Sequence, residues 1–194
     1  MEPVAKITIS PEELARLQDT AFLVSKRVIT EKVYSLFHQL KKELAASTLF
    51  NTFSFPEGVD IGTGKLTRGE NYRGLPYVVM DFPQAFGQGG IFAFRVMLWW
   101  GREFSFTLHL SGAHMQLAQG KPMNKLHGHS VYQCVNASPW EHHFEQDNYL
   151  PVEIAEPTAG ADFIKVARRL PVTDWDKVPA YGLETLELYL RWLR

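Results

Sequence analysis

Two strand-length segments, Ile91–Trp100 (IFAFRVMLWW) and Glu103–Leu110 (EFSFTLHL), are separated by little more than Gly101-Arg102. Both are rich in aromatic and aliphatic residues and meet at a glycine, the pattern of a β-hairpin. Successive side chains on a strand point to opposite faces, so a one-residue slip in pairing exchanges the two faces. A two-residue turn would set Phe104, Phe106, Leu108 and Leu110 beside Trp99, Met97, Arg95 and Ala93. A three-residue link, Gly101-Arg102-Glu103, sets them against Trp100, Leu98, Val96 and Phe94. Only the second choice makes one wholly apolar face, and burial of apolar area selects it. The opposite face then carries Arg95, Met97, Trp99, Ser105, Thr107 and His109, with Arg95 across from His109.

Around this hairpin the chain reads as helix, helix, strands, helix. Ser10-Pro11-Glu12-Glu13 is a helix start: Ser10 caps, Pro11 suits the first helical position and Glu13 completes a capping box. Leu14, Leu17, Ala21 and Val24 follow at helical spacing and form one apolar stripe. Val28-Ile29-Thr30 weakens the helix, so a second helix is expected near Thr30 with Val33, Phe37, Leu40 and Leu44 inward; one bent helix is the alternative. Pro56–Gly74 reads as a long surface loop. Tyr77–Phe82, Ser130–Val135 and Asp162–Leu170 join the hairpin as strands. Thr173 can cap a last helical region, with a main helix from about Ala180 lined by Leu183, Leu186, Leu190 and Leu193. Most links are too short for helical crossovers, so the sheet is expected to be mainly antiparallel. The expectation is one α+β domain over residues 1–194, with about five strands and the N- and C-terminal helices on one sheet face.

Composition limits the function. The 194 residues carry 20 Lys+Arg against 21 Asp+Glu, a net charge of −1, so nothing points to nucleic acid or an anionic membrane as partner. Cys134 is the only cysteine, which excludes an intrachain disulfide and a thiolate-rich metal site. Met1–Ser10 lacks a cationic start and apolar run, so a signal peptide is not expected. Ile91–Trp100 is too short to span a bilayer and contains Arg95. A cytoplasmic location is the expectation.

The short motifs mostly fail on their own chemistry. His127-Gly128-His129 and Glu141-His142-His143-Phe144-Glu145 bring together imidazoles and carboxylates. Over Gly120–Gln133 the first pair resembles the opening of a cupin metal motif. Gln133 stands where that motif has Glu and no second motif follows, so no cupin fold and no metal is inferred. Gly62-Thr63-Gly64-Lys65 lacks the spacing and the hydroxyl of a phosphate loop, since Leu66 follows the lysine. Gly87-Gln88-Gly89-Gly90 leads into a strand and reads as a turn. No Gly-x-Ser-x-Gly elbow is present, and Cys134 in Val131–Val135 reads as a buried, inert thiol.

The remaining candidate is the polar face of the hairpin. Apolar walls, hydroxyls and two anion donors are the ingredients of a small-molecule pocket. The expected ligand is small and polar or anionic. Arg95 would neutralise it, His109 would donate a hydrogen bond or move a proton, Trp99 would form a wall and Thr107 would supply a hydroxyl. Arg68 and Arg73, on the loop, would close over it. No cofactor is called for, and the reaction, if the protein is an enzyme, is undefined. The competing expectation is a non-catalytic interaction module, with or without self-association. It rests on the C-terminal helix, where Tyr181, Leu188, Tyr189 and Trp192 widen the apolar surface beyond the leucine stripe.

Overall fold

The computed structural model describes residues 7–155 and 161–194. The reading of Met1–Ser10 as lacking a leader falls mostly outside them. Helix α1 spans Pro11–Gln18 and α2 spans Thr20–Ala46, followed by the short α3, Thr48–Thr52. Strands β1 (Lys65–Tyr72), β2 (Leu75–Gly87), β3 (Gly90–Trp99) and β4 (Glu103–Ser111) form a meander. Two 3-10 turns lead to β5 (Tyr132–Cys134), β6 (Tyr149–Pro151) and β7 (Phe163–Pro171). A 3-10 turn and helix α4, Val178–Leu193, close the chain. The architecture is α+β with a seven-stranded antiparallel sheet, ordered β1-β2-β3-β4-β7-β5-β6. Among the described residues no helix is long and apolar enough to cross a membrane.

Seven strands replace the expected five. The two additions are β6, only three residues long, and β1, which lies inside the segment read as a loop. Strand β1 (KLTRGENY) is polar because it is an edge strand, and polar edges are common. Gly69 lets it close on β2: a Cβ there would sit 2.4 Å from the Tyr77 ring.

At the N-terminus the Ser10–Glu13 capping box is present in both directions, at 3.1 and 2.7 Å. The helix break falls at Asp19, not near Thr30. The Asp19 carboxylate accepts from Phe22 N at 2.9 Å and starts α2. Val28-Ile29-Thr30 stays helical, because β-branching costs only a few tenths of a kcal/mol per residue. The expected packing of both N-terminal helices on the sheet is also corrected. None of α1 is buried, and the buried positions of α2 begin at Thr30.

The hairpin keeps its expected faces but not its expected pairs. Leu98 pairs with Phe104, Val96 with Phe106 and Arg95 with Thr107. The link is Trp100-Gly101-Arg102, so the register moves by two residues. A shift of two preserves every side chain's face. Arg95 and His109 therefore share a face as diagonal neighbours, while His109 lies opposite Ala93.

On the apolar face Phe94, Val96, Phe104, Phe106 and Leu108 are fully buried against Val33, Phe37 and Leu40 of α2 and Leu186, Tyr189 and Leu190 of α4. Tyr189 and Trp192 are buried in this core, so the apolar breadth of α4 is used inside the fold. Helices α2 and α4 approach closely at Gly182, where an added Cβ would lie 2.7 Å from Leu40 Cδ2 and 3.0 Å from Phe106 Cε1. Replacing Gly182 with Val is expected to lower unfolding free energy by about 2 kcal/mol through overpacking, measured by urea denaturation.

Candidate functional site

The second sheet face is also mostly buried, with Arg95 partly and Arg169 largely exposed, and it differs in chemistry. Three side-chain rows cross it. One runs Asp81, Arg95, Thr107, Ala167 and Tyr132 over five strands. A second runs Val79, Met97, Ser105 and Arg169, and a third sets Ala93, His109 and Lys165 side by side. Cys134 and its partner Tyr149 extend the face on β5 and β6. Residues 136–148 cross over this face as a strap, with the Pro139 and Glu141 carbonyls on Lys165, His142 beside Arg95 and Trp140 against His109.

Arg95 lies in the middle of this face. Its Nε and Nη2 donate to both carboxylate oxygens of Asp81, at 2.7 and 2.9 Å. The side chains are 17% and 4% exposed, so water screens the pair weakly. Arg95 Nη1 lies 3.4 Å from His142 Nε2 of the strap, and the guanidinium is 5.9 Å from the centre of the Trp140 ring. The expected anion donor is thus occupied by the protein's own carboxylate.

Lys165 is 2% exposed, and its ammonium donates to the carbonyls of Pro139, at 2.9 Å, and Glu141. Among the described residues no carboxylate lies within ion-pair distance of it. Burial, opposed by the nearby Cys134, lowers its pKa to about 8. His109, directly opposite on β4, is held between Trp140 and Phe163 with both ring centres at 5.8 Å. Among the described residues its Nε2 has no hydrogen-bond partner. Burial first, then the Lys165 and Arg95 charges, lower its pKa to about 4. His142 is driven down by the same causes. The Tyr149 hydroxyl is buried near Thr107 without a hydrogen bond of good geometry, and burial raises its pKa. Burial likewise raises the Cys134 thiol, whose Sγ lies 3.4 Å from Asn148 Oδ1.

Tyr72, the last residue of β1, and Arg73, on the β1–β2 turn, hold the strap's edge. Tyr72 Oη accepts from His142 N and His143 N, at 2.6 and 3.1 Å, and donates to Glu141 at 2.9 Å. Arg73 contacts Glu141 at 3.4 Å and Glu145 at 3.0 Å. Asn148, fully buried, accepts from Cys134 and ties the strap's other end to β5.

Of the residues picked from sequence, Arg95, Thr107 and His109 are brought together. Trp99 shares their face but lies further along β3, packed on Tyr72, with its indole N–H on the Tyr72 carbonyl at 3.2 Å. Arg73 reaches the strap. Arg68 does not join them: it pairs with Val78 and alternates with Leu66 on the helix-bearing face, exposed. Sequence reading missed Asp81 and Lys165, and met His142 only as part of a histidine–carboxylate cluster. Asp81 between Met80 and Phe82, and Lys165 between Ile164 and Val166, carry the same signal that marked Arg95, a charge inside an apolar strand.

The histidine groups separate. His127 and His129 are exposed on a distant turn, whereas His142 and His143 lie in the strap. Donor atoms of His143, Glu145 and Asp147 fall within 4.8 Å of one another, but Arg73 already contacts Glu145. At Gly62-Thr63-Gly64 the three backbone N–H groups donate to the Asp60 carboxylate at 2.8–3.0 Å, so an internal anion fills the nest. No protein-family model, curated protein or solved structure matches the chain.

Two expectations follow. Arg95→Met leaves the buried Asp81 carboxylate alone and is expected to cost about 3 kcal/mol, with Asp81→Leu/Arg95→Met recovering most of it in urea denaturation. Second, the unfolded chain takes a proton on His109 below pH 6.5 that the folded chain refuses until about pH 4. Stability therefore falls as pH drops through that window, by up to about 1.4 kcal/mol per pH unit from this group. For Lys165 the unfolded chain holds its proton to pH 10.5 and the folded chain to about pH 8, so stability rises between them. Denaturation measured across pH is expected to show the acid slope reduced in His109→Phe.

Proposed function

We propose that this protein binds a small polar or anionic molecule on the sheet face beneath the 136–148 strap, with Lys165 as the charge that holds it. One observation carries this reading: a buried ammonium that, among the described residues, has two main-chain carbonyls as its hydrogen-bond acceptors and the Tyr149 ring at 5.0 Å, and no carboxylate. Carbonyl dipoles offset part of an ammonium's desolvation, whereas an anion offsets more. Both carbonyls belong to the strap, so a ligand oxygen taking their place would free the strap from Lys165. The unpartnered His109 Nε2 and Tyr149 hydroxyl would give the same ligand further polar contacts, and Trp140 and Phe163 would wall it. Arg95 then serves as a positioning residue through Asp81 and His142. No reaction is assigned.

The test is a thermal-shift screen against phosphate, sulfate, small carboxylates and nucleotides. A ligand at about 100 Kd adds about 2.7 kcal/mol and raises Tm. The shift is expected to disappear in Lys165→Met and to persist in Arg68→Met, which changes the other face. Absence of any stabilising compound, or a shift unchanged by Lys165→Met, overturns the reading.

A further inference from the structure

Helix α2 is about 40 Å long at the usual rise per residue, yet none of its first ten residues is buried, and the ion pair from Lys26 to Glu70 of β1 ties only the end of that stretch to the sheet. With α1 they form a projecting arm. Its apolar side chains are exposed: Leu14, Leu17 (64%), Phe22, Val24 (54%), Val28 and Ile29. Together they offer on the order of 500 Å² of apolar surface, near the upper end for a monomer and roughly two-thirds of one side of a standard interface. An eight-residue helix with no buried residue is marginal alone in water. The arm therefore lacks the packing that would stabilise it.

Charge selects the occupant. Along residues 11–29 the acids Glu12 and Glu13 lie at one end and the bases Lys26 and Arg27 toward the other, with Asp19 at the middle as the cap of α2. Arg16 is the exception, Lys26 is paired with Glu70 and leaves Arg27 as the free base at that end among the described residues, and three acids balance three bases over residues 11–29. A basic polar face, which anionic membranes select, is absent. An antiparallel second copy instead sets each acidic end beside the partner's basic end. Two-fold pairing of one surface with itself is also the commonest form of association. We propose that two copies of this chain pair antiparallel through residues 11–29, with Leu17 and Val24 at the centre and Glu13 opposite the second copy's Arg27 at each end.

Sedimentation equilibrium of the full chain from about 1 to 100 μM tests this. A dimer is expected, and Leu17→Glu/Val24→Glu is expected to be monomeric with an unchanged Tm for the body of the fold, since both positions are exposed. Glu13→Arg and Arg27→Glu are each expected to weaken the dimer at least threefold, and the double exchange to restore it. A monomer at every concentration overturns the proposal, as does an oligomer that survives Leu17→Glu/Val24→Glu. Charge exchange that fails to restore pairing, or an arm that partitions onto neutral or anionic phospholipid vesicles while the chain stays monomeric, overturns it as well.

Discussion

Strands β3 and β4 are covered on both sides, and only one of those sides is apolar. The helix-bearing side can be buried at a gain, roughly 25 cal/mol for each Å² of apolar surface. The other side carries Arg95, Ser105, Thr107 and His109, whose burial costs free energy unless partners are supplied. The architecture around that face meets this requirement. Asp81 arrives from β2 as a bidentate acceptor for Arg95, and the strap brings carbonyls to Lys165. Tyr72, Arg73 and Asn148 then hold the strap in place.

The polar face is not fully satisfied. His109 Nε2, His143 Nε2 and the Tyr149 hydroxyl are buried without hydrogen bonds among the described residues, and all three lie on this face or its strap. Buried groups with displaced pKa values gather at functional sites more often than elsewhere, although structural ion-pair networks also displace them. Here the displacement has one dominant cause, burial, which acts on His109, His142 and Lys165 in the same direction. Each is pushed toward its neutral form, so the face limits its positive charge by pKa as well as by the Asp81 carboxylate.

Much of the fold was legible because it depends on periodicity. Alternation in Phe92–Leu98 and Phe104–Leu110 fixed which side chains meet the helices, even though the pairing moved by two residues. The Ser10–Glu13 cap was legible because it is a local hydrogen-bond pattern. Strand β1 was not, because its stability comes from pairing with β2 and its sequence has no apolar alternation. At the site, Arg95, Thr107 and His109 share a face for the same reason of alternation. Asp81 and Lys165 depend on strand order, and β7 pairs with β4 across more than fifty intervening residues. No local pattern announces that pairing. The strap's position is a tertiary fact of the same kind.

The two ends of the sheet differ from its centre. One edge is β1, with Lys65, Arg68 and Glu70 exposed along it. The other is β6, three residues long and ended by Pro151, which has no N–H to donate. Free strand edges invite another chain to add itself by backbone hydrogen bonding, and charge, brevity and proline each discourage that. A sheet ended in this way is poorly suited to growth from copy to copy. Open-ended β-stacking is thereby discouraged, and contact between folded molecules is directed to their side-chain surfaces.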